Sequence, residues 1–427
     1  MFYRIIVSAF AVQPDQKSSE AIVNKNWFDI VSKKGTVIYA MSAFSNYLFE
    51  KEGVRLVKKH KVSLVLYKIS KKKKGLITFI YRLLNKIYKT LTGSNSSLQE
   101  ELWVKAQTKI LDKSIIKKDV VWARILPAIS IKPVLNVYNK QPFPFVVNVN
   151  DPIYAGVFIK NNLNRDQSIF LETKKIAQAW TFPSSKLADR MANNYNLDRQ
   201  RCFVIPHAMR KVKKLYVRNI EKKEVNFLYT GTFYKSAFTE EFKTSLINFN
   251  KLKEAEKVNF TFVLSQFDDD SITWLKASIP NVTLKYKLER TEVLELVKQS
   301  DCMFVVDSIL HGELLKGKLI EALSFGVPVL GVTYPNSIMD KVVNTYGCVS
   351  AYQNKKGDIL NKMRFFVENI NNLNWLNAFY KQRTIALDKI SEDYVAEATQ
   401  LVNTFAYNRF NNKNKATIVA PQQLNWP

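Results

Sequence analysis

Three cysteines, Cys202, Cys302 and Cys348, are all that 427 residues contain, and their spacing fits neither a metal cluster nor a redox pair. A disulfide framework is thereby excluded, and a reducing cytoplasm is the expected compartment. Long apolar runs are missing too: nothing approaches the roughly 18 consecutive apolar residues of a spanning helix. The N-terminal IIVSAFAV is too short, and too weakly charged in front, for a signal peptide, so it reads as a first buried strand. Acids are scarce as well. Against 64 Lys and Arg stand 37 Asp and Glu, a net charge of +27, and the excess is clustered. Residues 51–93 hold thirteen basic residues and one acid, Glu52, or +12 of that total.

What is present suffices for two cores: 47% of residues are hydrophobic and 12% aromatic. The length predicts two domains of roughly 200 residues each. In the first half, short β-rich runs (YRIIVSAF, TVIYAM, VSLVLY, DVVWARI, PFVVNV, AWTFPS) alternate with segments of helical pattern. The second half repeats the habit with VNFLYTG, VNFTFVLS, NVTLKY, CMFVVD and VPVLGV. Such alternation predicts parallel sheets with crossover helices, hence two doubly wound α/β domains in tandem. The charge-dense RKVKKLYVRNIEKKE, residues 210–224, reads as their connection, and the Asn-, Lys- and Gln-rich end is expected to fray from about Asn408.

Doubly wound sheets bind ligands outside the carboxyl ends of their strands, where loops and helix N-termini offer N–H groups. In LYTGTFYKSAF, Gly231, Thr232 and Lys235 bring close backbone approach, a hydroxyl and an ammonium toward one anionic group. A plain turn glycine is the alternative there. In HGELLKGKLIEALSFG, Lys318 and Glu321 lie three apart on one face of a helix ending at Gly326, while Gly317 leaves Glu313 on the loop leading in. Charges of both signs suit a ligand with a diphosphate and vicinal hydroxyls; a surface helix laced with salt bridges is the rival reading. DVVWARILPA and PFVVNVNDP set Arg124 and Asp151 at strand ends, where a structural and a functional role stay equally open. The triplet DDD at 268–270 has the look of metal-binding aspartates, but its place before a helix suits solvated capping acids, and no metal is expected.

The segment KKKKGLITFIYRLLNKIYKTLTG, residues 71–93, repeats Leu76, Ile80, Leu83, Leu84, Ile87 and Leu91 at helical spacing, with Arg82, Lys86 and Lys89 off that stripe. Together with Lys71, Lys72, Lys73 and Lys74, and with Phe79, Tyr81 and Tyr88, it reads as a basic amphipathic helix suited to an anionic membrane surface. An ordinary domain helix with a solvated face is the alternative.

Taken in order, RCFVIPHAM, FLYTGTFY, IPNVTLKYKLERTEVLELVKQSDCMFVV and GKLIEALSFGVPVLG resemble retaining glycosyltransferases of family 4, and NDP and TFPSSKLADRMANNYNL extend the resemblance into the first half. It implies the GT-B fold: two Rossmann-like doubly wound domains facing a central cleft, with a C-terminal helix crossing back to the N-terminal domain. The expected parts are an acceptor-binding domain over 1–208, a nucleotide-sugar domain over 209–388, and a crossover helix and tail over 389–427. The resemblance makes Glu321 the ribose carboxylate, Glu313 the group on the donor sugar and Lys318 the diphosphate contact. Gly231, Thr232, Lys235 and Leu288 complete the donor-binding set, and Arg124 and Asp151 join Glu313 as catalytic candidates. It implies no cofactor and no metal, since cationic side chains and helix N-termini neutralise the leaving diphosphate.

The implied reaction moves a sugar from a nucleotide diphosphate donor to a lipid-linked or glycan acceptor during surface polysaccharide, lipopolysaccharide or glycolipid assembly. The enzyme would be peripheral on the inner face of the plasma membrane. Two departures stand out. AVQPDQKSSEA carries Ser18 and Ser19 where family glycines are expected, and Arg124 stands where many members have a histidine, the chain having only His60, His207 and His311. A nucleotide-sugar 2-epimerase shares the architecture, but scarce histidine speaks against its several acid and base groups. The +27 would suit nucleic acid, yet no recognised module with interleaved aromatics is present, so no nucleic-acid partner is expected.

Overall fold

The computed structural model describes residues 3–9, 19–33, 38–41, 54–56, 75–92, 96–125, 128–153, 163–208, 217–232, 238–265 and 269–412. The chain divides into two compact units, one of Met1–Pro206 with Asp393–Trp426, the other of His207–Glu392. Each is a parallel sheet with crossover helices.

The first unit holds strands β1 (Ile5–Ala9), β2 (Ile38–Met41), β3 (Val54–Leu56), β4 (Val120–Ile125), β5 (Phe145–Val149), β6 (Ala179–Phe182) and β7 (Cys202–Val204), ordered β3-β2-β1-β4-β5-β6-β7. Every residue of β1, β4 and β5 is buried. Continuous apolar runs such as IIVSA and FVVNV are what a parallel sheet covered on both faces requires. Its helices are α1 (Ser19–Lys33), α2 (Leu76–Thr92), α3 (Leu98–Ser114), α4 (Lys132–Tyr138), α5 (Leu163–Ile176) and α6 (Ser185–Tyr195). Strand order reverses between β1 and β4, so Arg124, near the end of β4, lies beside this unit's switch point.

The second unit orders β8 (Val225–Gly231), β9 (Val258–Leu264), β10 (Val282–Tyr286), β11 (Cys302–Val306), β12 (Val329–Thr333) and β13 (Val349–Tyr352) as β10-β9-β8-β11-β12-β13. Its helices are α7 (Glu240–Phe249), α8 (Asp269–Ser278), α9 (Arg290–Gln299), α10 (Gly317–Phe325), α11 (Ile338–Thr345), α12 (Asp358–Asn369) and α13 (Leu373–Ile390). Phe227, Phe260 and Phe304 stack across β8, β9 and β11, with ring centroids 4.9, 5.6 and 6.2 Å apart. Each such pair adds about 0.5–1.5 kcal/mol beyond its area burial, which reinforces the pairing of β8 with β9 and with β11. The last helix, α14 (Glu392–Asn411), belongs to the first unit, where Trp27 Nε1 donates to Thr399 Oγ1 (3.2 Å) and Trp122 Nε1 to Asn403 Oδ1 (2.8 Å).

Some sequence-based expectations are corrected. The stretch 210–224, charge-dense as it is, does reach the interior, because Arg218 is buried and its Nη1 lies 2.6 Å from Asp301 Oδ1. Helix α14 carries order past Asn408 to Asn411. The run VSLVLY, Ser18 and His60 lie outside the described residues, whereas Ser19 opens α1. Of the DDD triplet, Asp269 and Asp270 open α8, and Asp268 lies outside the described residues.

Candidate functional site

The stretch Leu314–Gly326 becomes the loop after β11 and then α10. The helix stops because Gly326 takes a left-handed φ of 77°, its N–H reaching the carbonyls of Ala322 and Leu323. At the other end the cap residue, Lys316, makes no side-chain cap hydrogen bond. A helix start so arranged favours anions, and a lysine in its first turn is where the helix dipole disfavours a cation. Lys318 occupies that turn.

Its side chain runs to the carboxyl end of β8. Lys318 Nζ lies 5.3 Å from the centroid of the Tyr229 ring, and it fills the space where Gly231 lacks a Cβ: an added Cβ would sit 1.8 Å from that nitrogen. Gly231 has φ +128°, which L side chains rarely adopt. The loop beyond is tied back, since Tyr229 Oη donates to Thr232 O (2.6 Å), Thr232 Oγ1 and Ser265 Oγ are 3.1 Å apart, and Ser265 N donates to Gly231 O (3.0 Å). Burial, with Lys316 nearby, pushes the Lys318 ammonium down to about 7. An arriving anion would favour the charged ammonium against both.

One turn further along α10, Glu321 is gripped by the guanidinium of Arg290, Nη1 to Oε2 at 3.1 Å and Nη2 to Oε1. The Glu321 side chain is 12% exposed and that of Arg290 42%, so the arginine forms the outer wall of the carboxylate. Leu288, half-buried, stands two residues before Arg290 in the turn after β10. Glu313 is buried on the loop leading in, as the glycine at 317 led one to expect. Beside it Asp307 follows the last residue of β11, wholly buried, with Ser308 N donating to its Oδ1 (2.8 Å) and Lys316 Nζ 3.8 Å from Oδ1. Burial raises the Asp307 carboxyl above its ordinary range, Lys316 opposes this, and Glu313 adds to it.

The structure thus brings all six into the second unit: Gly231 and Thr232 at the end of β8, Leu288 just beyond β10, Glu313 on the loop after β11, and Lys318 and Glu321 on α10. Lys235, and Lys71 to Lys74, lie outside the described residues. Arg124 and Asp151 belong to the first unit. Arg124 is buried, its Nε donating to Asn24 Oδ1 and its guanidinium 4.6 Å from the centre of the Trp27 ring. Asp151 follows β5, half-buried. Two residues, Asp307 and Arg290, were not singled out from the sequence, and Lys316 was noted there only as a charge beside Lys318. Asp307 ends the run CMFVVD, so the strand-end rule applied to Arg124 would have found it. Arg290 carries no such signal, being 31 residues from its partner, and Lys316 gains meaning only from Asp307. Among the described residues no group of three or more His, Cys, Asp or Glu could hold a metal ion.

The helix α2 is turned outward. Its inner stripe is Thr78 and Tyr81, both buried, with half-buried Asn85 and Tyr88. Asn85 Oδ1 accepts from Leu98 N at the start of α3 (2.8 Å). The apolar stripe is exposed instead: Leu76 by 74%, Leu91 by 80% and Ile80, Leu83, Leu84 and Ile87 by nearly half or more, with Phe79 beside them. Arg82, Lys86 and Lys89 are exposed along the flank. Tyr81, expected at the outer surface, faces inward; burial, and then Glu100, raises its hydroxyl above the ordinary range.

No protein-family model and no curated protein matches the sequence. Solved structures do match in fold. A sucrose-phosphate synthase from Thermosynechococcus elongatus has a TM-score of 0.68 at 11% identity, over 94% of this chain and 98% of that one. A glycosyltransferase from Rickettsia africae has 0.60 at 12%, over 97% and 100%. An Anabaena protein solved in complex with UDP and glucose has 0.59 at 11%, over 95% and 99%. The likeness establishes the fold, that of the GT-B sugar transferases, with two parallel-sheet α/β units.

Proposed function

We propose that the chain is a family 4 glycosyltransferase of the retaining kind, which moves a sugar from a nucleotide diphosphate donor to an acceptor at an anionic membrane surface. The observation that carries this reading is Lys318 seated on Gly231, with Glu321 one turn further along the same helix. In it Lys318 and Lys235 take the charge that builds on the diphosphate as the anomeric C–O bond breaks. The acceptor oxygen bonds to the anomeric carbon from the face the diphosphate leaves, and its proton passes to the departing group. Glu321 holds the ribose and Glu313 the donor sugar, with Leu288 among the donor-binding residues. Arg124 and Asp151 are the first unit's groups in this scheme, the former as a positioning residue, given its burial against Trp27. No metal or cofactor is required.

Because a neighbour is solved with UDP and glucose, UDP heads the panel of nucleotide diphosphates to test. A ligand that binds only the folded form raises stability by about 2.7 kcal/mol at a hundred times its Kd. A rise in Tm with at least one of them is expected. Glu321→Ala should weaken that nucleotide by at least about ten-fold, the scale of a lost hydrogen bond to a charged group. A panel without any shift, or an unchanged affinity in Glu321→Ala, would sink the reading.

The membrane part rests on α2. No helix among the described residues is long and apolar enough to cross a membrane, and the exposed stripe suits an in-plane seat on the cytoplasmic leaflet, with Lys71, Lys72, Lys73, Lys74, Arg82, Lys86 and Lys89 over the headgroups. Each basic residue near such a surface contributes about 1 kcal/mol, and each fully buried Leu or Ile side chain about 1.5–3 kcal/mol. The apolar stripe therefore dominates. Leu83→Glu with Ile87→Glu is expected to lower partitioning onto phosphatidylserine-containing vesicles by more than about a hundred-fold, and high salt should lower it as well. Co-sedimentation equal to wild type would refute the membrane role. Lipid-linked acceptors of surface polysaccharide, lipopolysaccharide or glycolipid assembly fit an enzyme held there.

A further inference from the structure

We propose that Arg290 is a positioning residue of the nucleotide site, which holds the Glu321 carboxylate so that it reads the ribose hydroxyls while staying apart from Lys318. The inference rests on the nucleotide-sugar reading above. Arg290 is the first residue of α9, and its backbone is fixed by a capping box between Glu289 and Glu292, with Glu289 N donating to Glu292 Oε2 (2.7 Å). From there the side chain reaches across to α10, from the turn that holds Leu288 to the carboxylate of Glu321.

A carboxylate has about four lone-pair sites, and the guanidinium fork uses one on each oxygen. One on each oxygen is left, which is the pattern a vicinal diol needs. Without the fork, Glu321 has another cation on its own helix. Lys318 lies three residues earlier on the same helix, a spacing at which opposite charges meet. Drawn to Lys318, the carboxylate would join the two groups that must act separately, one on the ribose and one on the diphosphate. The fork resists that, and only a planar guanidinium has the geometry to engage both oxygens at once. Glu321 is the more sheltered partner of the two, so its orientation is set by Arg290 and not by water.

The experiment is calorimetric titration with the nucleoside diphosphate that wild type binds best and with its 2′-deoxy counterpart, on wild type, Arg290→Ala, Arg290→Lys and Glu321→Ala. Wild type is expected to prefer the ribose form by at least about ten-fold. In both Arg290 variants that preference should fall below about three-fold, with affinity for the deoxy form little changed. Glu321→Ala should behave in the same way. An undiminished ribose preference in Arg290→Ala overturns the proposal while leaving the nucleotide reading intact. So does an equal loss for both nucleotides, which is what general damage to the fold would produce. The Lys variant keeps the charge and guards against a misfolded Ala variant. Absence of any nucleoside diphosphate binding by wild type would bring down the reading itself, and this inference with it.

Discussion

Asp301→Ala is expected to destabilise the second unit by about 3–5 kcal/mol, the cost of stripping one partner from a buried ion pair. Asp301 and Arg218 have side chains 1% and 0% exposed, and their charged atoms are 2.6 Å apart. The aspartate's other oxygen accepts from Asn226 N (2.8 Å) and Lys222 Nζ (2.9 Å). Arg218 in turn donates to Asn371 Oδ1 and to the carbonyls of Lys222 and Glu224. Losing the carboxylate leaves a guanidinium buried without its counter-charge and orphans the N–H of Asn226 in β8. Asp301 immediately precedes β11, whose far end leads to Asp307, so the strand pair that frames the site loosens from its opposite end. Hydrogen exchange should show the loss in β8 and β11. The double variant Arg218→Met with Asp301→Leu should recover much of it, because an apolar pair of similar volume is often as stable as a buried ion pair. Exchange rates in Asp301→Ala equal to wild type would refute the account.

That network also marks where the sequence stops being informative. RKVKKLYVRNIEKKE reads as a charge-dense connection because a one-dimensional string shows Arg218 among lysines and hides an aspartate more than 80 residues away. Long apolar runs, by contrast, are unambiguous. DVVWARI, PFVVNV, VNFLYTG and CMFVVD each became a central strand, since only a sheet covered on both faces tolerates them. Strands β3, β7 and β13, of three or four residues, were too short for any periodicity to register. The spacing of Lys318 and Glu321 was legible because helical geometry is local. The fork of Arg290 and the burial of Asp307 beside Glu313 were not, being products of the way the strands pair. Helix α2 shows a third case: periodicity located its apolar stripe, but which stripe docks is decided by Asn85 and Tyr81 against α3.

Gly231→Ala is expected to lower affinity for the nucleotide donor by at least about ten-fold while leaving the second unit folded. A residue with a side chain held at φ +128° costs about 1–3 kcal/mol in strain. The effect on affinity is steric, because the new Cβ would lie 1.8 Å from Lys318 Nζ and 2.8 Å from its Cε, the mobile end of that side chain. The lysine must leave its seat over Tyr229, and with it goes the ammonium proposed to meet the diphosphate. A double-mutant cycle separates the two contributions. In a Lys318→Ala background the clash no longer exists, so Gly231→Ala should cost little further affinity; two losses that simply add would show that the glycine acts without the lysine. Protonation supplies an independent check. Burial pushes Lys318 down to about 7 in the unliganded protein, and a bound diphosphate favours the charged form, so binding takes up a proton. Donor affinity should therefore be highest below about pH 7 and fall as pH rises through it, at a point where the diphosphate itself is already ionised. Lys318→Ala should flatten that fall, and a pH profile unchanged by the substitution would mean that the lysine never faces the donor.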